Sequence, residues 1–417
     1  MKEHSGLEEA QFQDSRLPES VLLIGPMPPR TRPTMGGNHR YLLNFVQVLS
    51  RLPTEPVLVC DEEEHYDDLL AALDELGVEI VFAPLCKSHS DAAKIIDRII
   101  RSISPSLMHV NGLHGWIQPT LEQSRELKTV PLRIYTMHLP FGYIRLNEFR
   151  LLRWQERLPL RWSWRQFRKD RQFLSLFDEV LSVSYRYAEL FDELHIGTHC
   201  QVTAIPNGID VELFKPGSND RDTSLLRIGA AGNLHPQKRF DLLLNAFQRV
   251  SAESGARVEL HIAGEGPDRG MLAEQARRLG ISSSVVFHGY VAKMPDFLSS
   301  LDIFAMTSDS EAAPYAALEA MSCGLPSVVT NVGDLGYIIE DGHTGLVVER
   351  GDEDGAADAL LALTENPALR QRFGQAARKR AIERFSLQAW DQSIEQYLRG
   401  RLVRGRPESL RGDLGPV

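Results

Sequence analysis

A chain of 417 residues is about twice the usual size of one domain, so two domains with separate cores are the starting expectation. Hydrophobic residues at 43% and charged residues at 24% are ordinary for a globular protein, and no apolar run approaches the roughly 18 residues of a membrane span. A net charge of -10 disfavours general nucleic-acid binding, so no nucleic-acid partner is expected.

Residues 1–19 are polar and lack the apolar stretch of a secretory signal, and they read as a disordered leader on a chain that stays in the cytoplasm. From residue 20 short apolar runs alternate with longer amphipathic stretches: VLLIG (21–25), VLVC (57–60), EIVFAP (79–84), LMHV (107–110), IYTMH (134–138), EVLSVS (179–184) and QVTAIP (201–206). Repeated βα units around a parallel sheet produce this alternation, which defines a first Rossmann-like domain over 20–205. A stretch rich in Pro, Gly, Asn and Asp over 206–224 reads as a linker. The alternation then restarts with LRIGAAG, VELHIAG, VVFHG, DIFAMTS, PSVVTN and GLVVE, giving a second Rossmann-like domain over 225–385. The stretch from about 367 to 399 reads as helix only, with 386–399 as a C-terminal helix expected to pack back on the first domain and 400–417 as a tail. The fold class expected is α/β, two doubly wound domains facing a central cleft, because such sheets bind ligands outside the carboxyl ends of their strands.

Metal chemistry has little support. Cys60, Cys86, Cys200 and Cys323 form no C-x-x-C pair, and His109 and His114 lack further ligands at metal-site spacing. GDEDG (351–355) reads as acids at a helix start, where the dipole favours them, and GEGPDRG (264–270) misses G-x-G-x-x-G by one residue. No metal and no cofactor are therefore expected.

The strongest constellation is SDSEAAPYAALEAMSCGLPSVVT (308–330), in which seven residues separate Glu311 from Glu319. Glu311 falls in the loop after a strand. Pro314 sits where a first helical position is expected, and Glu319 lies in the second turn of a helix stopping at Gly324. A loop carboxylate there can accept hydrogen bonds from sugar hydroxyls, a helical one can take a pair of ribose hydroxyls, and free N–H groups of the first turn attract phosphate. Taken alone, two acids at this spacing are more often a solvated helix start. The surrounding sequence resembles the donor-site signature of the retaining glycosyltransferases called family 4, whose fold is the two-domain GT-B arrangement. GAAGNLHPQKRFDLLLNAF (229–247) is similar to that family's strand, loop and helix carrying a phosphate-binding lysine, and Lys238 matches the lysine. The family usually has Arg where Asn233 stands, and Arg239, one position beyond Lys238, projects about 100° away from it if both are helical. PTMGGNHRYLLNFVQVL (33–49) resembles the family's glycine-rich loop, with Gly36 and Gly37 letting backbone approach the donor phosphate. His138 matches a histidine that the family places near the sugar.

By this resemblance the chain moves a sugar from a nucleotide-diphosphate sugar, UDP- or GDP-linked, to a hydroxyl of a glycan or lipid-linked acceptor, with the anomeric configuration retained. Lys238, Glu311 and His138 are its implied catalytic residues, and Gly36, Gly37, Asn233, Lys238, Glu311 and Glu319 its donor-binding residues. Two other readings stay open: another GT-B activity such as a sugar phosphorylase or nucleotide-sugar epimerase, and a carbohydrate-binding pseudoenzyme, prompted by Asn233 and by Ala312 and Ala313 where the family often has glycine. One further segment stands out, 145–171, with nine Lys or Arg against three acids and with Trp154, Trp162 and Trp164. Its pattern suits either peripheral contact with an anionic membrane at its inner face or a solvated basic helix.

Overall fold

The computed structural model describes residues 20–25, 37–52, 54–61, 67–85, 87–112, 114–138, 160–197, 200–217 and 224–402. Strands form where the apolar runs place them: β1 (Ser20–Ile24), β2 (Glu55–Asp61), β3 (Glu79–Ala83), β4 (Leu107–Asn111), β5 (Leu132–Met137), β6 (Glu179–Ser182) and β7 (Gln201–Ala204). Their order in one sheet is β3-β2-β1-β4-β5-β6-β7. β8 (Leu225–Ala231), β9 (Arg257–Ala263), β10 (Val285–Gly289), β11 (Ile303–Met306), β12 (Ser327–Thr330) and β13 (Gly345–Val348) form a second sheet in the order β10-β9-β8-β11-β12-β13. The pairings are parallel, for example Val21 with Leu107 and Ile303 with Ile228. Two parallel sheets of this kind make the fold class α/β and Rossmann-like, as expected. Strands buried on both faces explain why the sequence shows apolar runs instead of alternation.

The chain divides into two compact units, as far as their residues are described. One holds Met1–Thr34, Leu42–Ile134 and Ser393–Val417, and the other Met35–Tyr41 and Tyr135–Gln392. In the first, β1 to β4 are covered by the greater part of α1 (Gly37–Ser50), by α2 (Asp67–Glu75), by α3 (His89–Ile103) and by α4 (His114–Gln123). Its core gathers Leu22, Leu23, Phe45 and Ile96, all fully buried. His109 is buried there and stacks on Phe45 with ring centroids 4.2 Å apart, a packing role for a residue first weighed as a metal ligand.

The second unit contains α5 (Leu160–Leu174), α6 (Tyr185–Glu193), α7 (Phe240–Glu253), α8 (Arg269–Arg278), α9 (Met294–Ser299), α10 (Tyr315–Ser322), α11 (Leu335–Ile338), α12 (Glu353–Glu365), α13 (Pro367–Phe385) and the start of α14 (Leu387–Leu402). Leu243, Phe247, Leu260, Ile262, Leu360 and Phe373 lie in one buried cluster, each worth about 1.5–3 kcal/mol of apolar burial. Gly229 lets a neighbour into the centre of this sheet, since a Cβ there would lie 2.0 Å from Leu301 Cδ1. GDEDG does what its acids suggest, for the Asp352 side chain caps α12 by accepting from Gly355 N at 2.9 Å.

The C-terminal helical stretch breaks where the domain expected over 225–385 gives way to the helix expected over 386–399. Ser386 is extended, with φ -61° and ψ 151°, and separates α13 from α14. Its neighbours exchange backbone hydrogen bonds with Ile209, Ile209 N donating to Phe385 O at 2.7 Å and Leu387 N to Ile209 O at 2.9 Å. Cys60, Cys200 and Cys323 are buried, and Cys86 lies outside the described residues.

Candidate functional site

In the sheet order β10-β9-β8-β11-β12-β13, the chain runs outward from β8 in one direction and from β11 in the other. Loops leaving the carboxyl ends of two such neighbours diverge and leave a crevice, the place where open α/β sheets bind ligands. Lys238 comes from the loop after β8 and Glu311 from the loop after β11, so the topology itself brings together residues 73 apart in sequence. Lys238 Nζ lies 2.5 Å from Glu311 Oε1, and the side chains are 21% and 8% exposed. Ser308 Oγ donates to the same carboxylate oxygen at 2.6 Å.

The two loops are fastened to each other. Asp309 N donates to Gln237 O at 2.8 Å, Gln237 Nε2 to Ser310 O at 2.7 Å, and Thr307 Oγ1 to Arg239 O at 2.9 Å. Lys238 ends a short turn over Pro236–Lys238, and Arg239 is left-handed with φ 50° and ψ 41° just before α7. The two are therefore not consecutive helical residues, and the expected 100° offset does not apply. The Arg239 guanidinium bonds Asp241 at 3.0 Å and Asp309 at 3.2 Å, and Arg350 Nε reaches Asp309 at 3.1 Å. Asn233 is exposed at the turn after β8.

Close backbone contacts set the shape of that turn. A Cβ on Gly264, where φ is 141°, would fall 1.8 Å from Gly232 O, and Leu234 N donates to Glu265 O at 3.0 Å. GEGPDRG thus supports the loop that presents Lys238.

The backbone carbonyls of residues 310–313 are all turned to the protein. Ser310 O accepts from Gln237, Glu311 O from the Tyr187 hydroxyl at 2.6 Å, Ala312 O from Asp334 N at 2.9 Å, and Ala313 O from Asn207 Nδ2 at 2.7 Å. The N–H groups of Glu311, Ala312 and Ala313 have no acceptor among the described residues. Such a run of free amides favours an anion or a set of hydroxyl oxygens. Asp334 is buried and also holds α6: it accepts from Ser184 Oγ at 2.7 Å, Tyr185 N at 2.8 Å and Arg186 N at 3.0 Å. Burial pushes its carboxyl above the usual range, and these three bonds act against that shift.

Pro314 is extended, with φ -70° and ψ 126°, and caps α10, one position earlier than expected. Glu319 is in the second turn, as read from sequence, and is buried at 4% exposure. Its carboxylate is paired with Arg40 of α1, and Arg40 also lies 5.7 Å over the Tyr315 ring. Burial raises the Glu319 pKa and the Arg40 charge opposes the rise. Gly37 packs on the same ring, where a Cβ would sit 3.1 Å from Tyr315 Cδ2, while Gly36 lies outside the described residues.

His138 follows β5 and is 8% exposed. Tyr41 meets it edge-on at 4.8 Å, and burial, together with the nearby His39, lowers its pKa to about 3. The ring is therefore neutral, a hydrogen-bonding group and not a cation. Of the basic segment 145–171, residues 145–159 lie outside the described residues, and in 165–171 Arg165, Arg168, Lys169 and Arg171 are exposed. Among the described residues no cluster of metal-binding side chains occurs, and no helix is long and apolar enough to cross a membrane.

The family resemblance singled out Lys238, Glu311 and Glu319, and the structure pairs the first two with each other. Sequence reading missed Arg40, Tyr187, Asn207, Ser308 and Asp334, because their partners, apart from Ser308's, are more than a hundred residues away. For Ser308, three positions before Glu311, the local signal was present in the SDSE tetrapeptide.

Comparison with known proteins gives the same outline. Residues 35–213 match the model of Glycosyltransferase Family 4, and 213–380 that of Glycosyl transferases group 1. The N-acetyl-alpha-D-glucosaminyl L-malate synthase of Bacillus anthracis is 30% identical over 220 residues, 50% of this chain and 56% of that protein. A D-inositol 3-phosphate glycosyltransferase of Stackebrandtia nassauensis is 29% identical over 225 residues, 50% of this chain and 51% of its own. The chain thus spans about half the length of the curated relatives it matches. Among solved structures, Anabaena HepE in complex with UDP and glucose superposes with a TM-score of 0.72 at 17% identity, over 92% of this chain and 100% of that one, which shows the GT-B fold. Two adjoining family models cover residues 35–380, and the chain belongs to the family 4, group 1 glycosyltransferases.

Proposed function

We propose that this chain transfers a sugar from a nucleoside diphosphate sugar to an acceptor hydroxyl with retention of anomeric configuration. The observation that carries the reading is the Lys238–Glu311 pair at the β8/β11 crevice, one cation and one acid 2.5 Å apart beside backbone amides that have no acceptor among the described residues. Lys238 stabilises the departing diphosphate, where a charge-assisted bond is worth about 1.5–3 kcal/mol. Glu311 and the amides of 311–313 hold the hexose hydroxyls, and Glu319 takes the ribose. Neutral His138 hydrogen-bonds the sugar and orients it. Gly36 and Gly37, lacking side chains, let backbone close on the phosphate, and Asn233 serves the phosphate end of the site.

No protein carboxylate acts as nucleophile. The glycosidic bond to the diphosphate breaks, the acceptor oxygen bonds the anomeric carbon on the same face, and the leaving diphosphate takes the acceptor proton. The protein supplies position and preorganised charge, which in such chemistry is the largest contribution. HepE was solved with UDP and with UDP-glucose, which favours a uridine donor here. The names of the curated relatives point to small hydroxylated acceptors such as malate or an inositol phosphate. The exposed bases of 165–171 favour a reaction near an anionic surface at the inner face of the membrane, and co-sedimentation with anionic but not zwitterionic vesicles is the expected result.

A thermal-shift panel of UDP-, GDP- and ADP-sugars tests the donor, since a ligand bound only by the native state raises the melting temperature by mass action. NMR of the product formed with the stabilising donor then reads the anomeric configuration. Inversion, or no shift with any donor, overturns the reading.

A further inference from the structure

We infer that Arg40 is a second ligand of the donor diphosphate, released to it when the ribose hydroxyls take over the Glu319 carboxylate. The inference rests on the assignments just proposed for Lys238 and Glu319, and adds a residue from the 33–49 motif to which no role was given there.

The linking diphosphate of a nucleotide sugar carries two negative charges, and Lys238 supplies one positive charge. The neighbouring cations are committed elsewhere: Arg239 bonds Asp241 and Asp309, and Arg350 also bonds Asp309. Arg40 differs from them in how it is held. Its one hydrogen-bonding partner among the described residues is Glu319, through Nη1, while its side chain is 38% exposed against 6% for the carboxylate. Four of its five N–H donors are thus available at the mouth of a buried acid.

The position suits a diphosphate. The guanidinium lies over Tyr315, the first residue of α10, and Gly37 packs on the same ring, so the first turn of α1 meets the first turn of α10. A planar fork placed there can grip two phosphate oxygens at once in a fixed bidentate geometry, which the point charge of a lysine does not impose.

Energetics favour an exchange over a simple departure. A carboxylate as buried as Glu319 is costly without a partner, so Arg40 cannot leave unless another donor replaces it. A pair of ribose hydroxyls is such a donor. Nucleoside binding and diphosphate binding are then coupled through one arginine: the ribose takes the acid, and the freed cation meets the charge that arrives with it.

Titration calorimetry with UDP and GDP, and with uridine and guanosine as probes lacking phosphate, tests this on the full chain. In Arg40→Gln the affinity for the nucleoside diphosphate is expected to fall about tenfold or more, with nucleoside affinity unchanged or improved because the competitor for Glu319 is gone. Arg40→Lys should recover part of the loss. In Glu319→Gln the nucleoside itself should bind more weakly. A wild type that binds, with an Arg40→Gln variant that binds the diphosphate equally well, overturns the role of Arg40 alone, as does an equal loss for nucleoside and diphosphate. A wild type that binds no nucleoside diphosphate overturns the donor-site reading and this inference with it.

Discussion

Lys238 and Glu311 hold each other within a crevice that each reaches from a different strand, and their separation of 73 residues closes only because β8 and β11 are neighbours. Replacing Lys238 with Ala removes the cation aimed at the leaving group and is expected to lower kcat by about two orders of magnitude or more. Steady-state kinetics at saturating donor would measure it, and near wild-type turnover would remove the main catalytic assignment. His138 gives a prediction of another kind. Its folded-state pKa is depressed to about 3 and that of His39 to about 4, both by burial. Above about pH 6.5 both rings are neutral in folded and unfolded chains and add no pH dependence. As pH falls below 6.5 the unfolded chain takes up protons first, so stability is lost progressively until the folded rings protonate near 4 and 3. Urea midpoints between pH 7 and 4 should fall less steeply in His138→Gln than in wild type, and equal slopes would contradict the buried neutral ring. At this scale the acids and the lysine stood out through the resemblance of their surrounding motifs to the family's, since their spacing alone reads as a solvated helix start. Arg40, Tyr187 and Asp334 did not, because a residue that acts on another 124 to 279 positions away leaves no mark in its own neighbourhood.

The elements that present these side chains are set by backbone contact more than by side-chain packing. Gly264 abuts Gly232 O and fixes the turn that leads to Lys238. Gly264→Ala must push that turn aside, and a loss of at least about 2 kcal/mol is expected, with slower turnover. Gly270 is the control: it lies in the first turn of α8, and a Cβ added to it would meet nothing within 4 Å, so Gly270→Ala should stabilise by about 0.5–1 kcal/mol. Thermal melts of the two variants read both signs, and a neutral Gly264→Ala would show that the turn is not held by this contact. The strands could be read from the sequence because a parallel strand covered on both faces is a short apolar run. The break at Ser386 falls at the expected start of the C-terminal helix, but the hydrogen bonds that fix it come from the remote Ile209 and leave no mark in the local pattern. Pro314 was misplaced by one position for a related reason: proline suits both the cap and the first turn, and only its ψ of 126° decides.

At the scale of the molecule, two Rossmann-like sheets were foreseeable from the restart of the βα pattern after residue 224, and the carboxyl ends of β8 and β11 followed as the place to look. The Lys238–Glu311 pair and the amides of 311–313, which have no acceptor among the described residues, gather charge and hydrogen-bonding capacity at that place. A crystal structure of the chain with UDP or GDP bound tests this most directly. Density for the diphosphate within hydrogen-bonding distance of Lys238 Nζ, with the ribose against Glu319, is the expected result. A nucleotide lodged away from the ends of β8 and β11, with Lys238 still paired to Glu311, would contradict it.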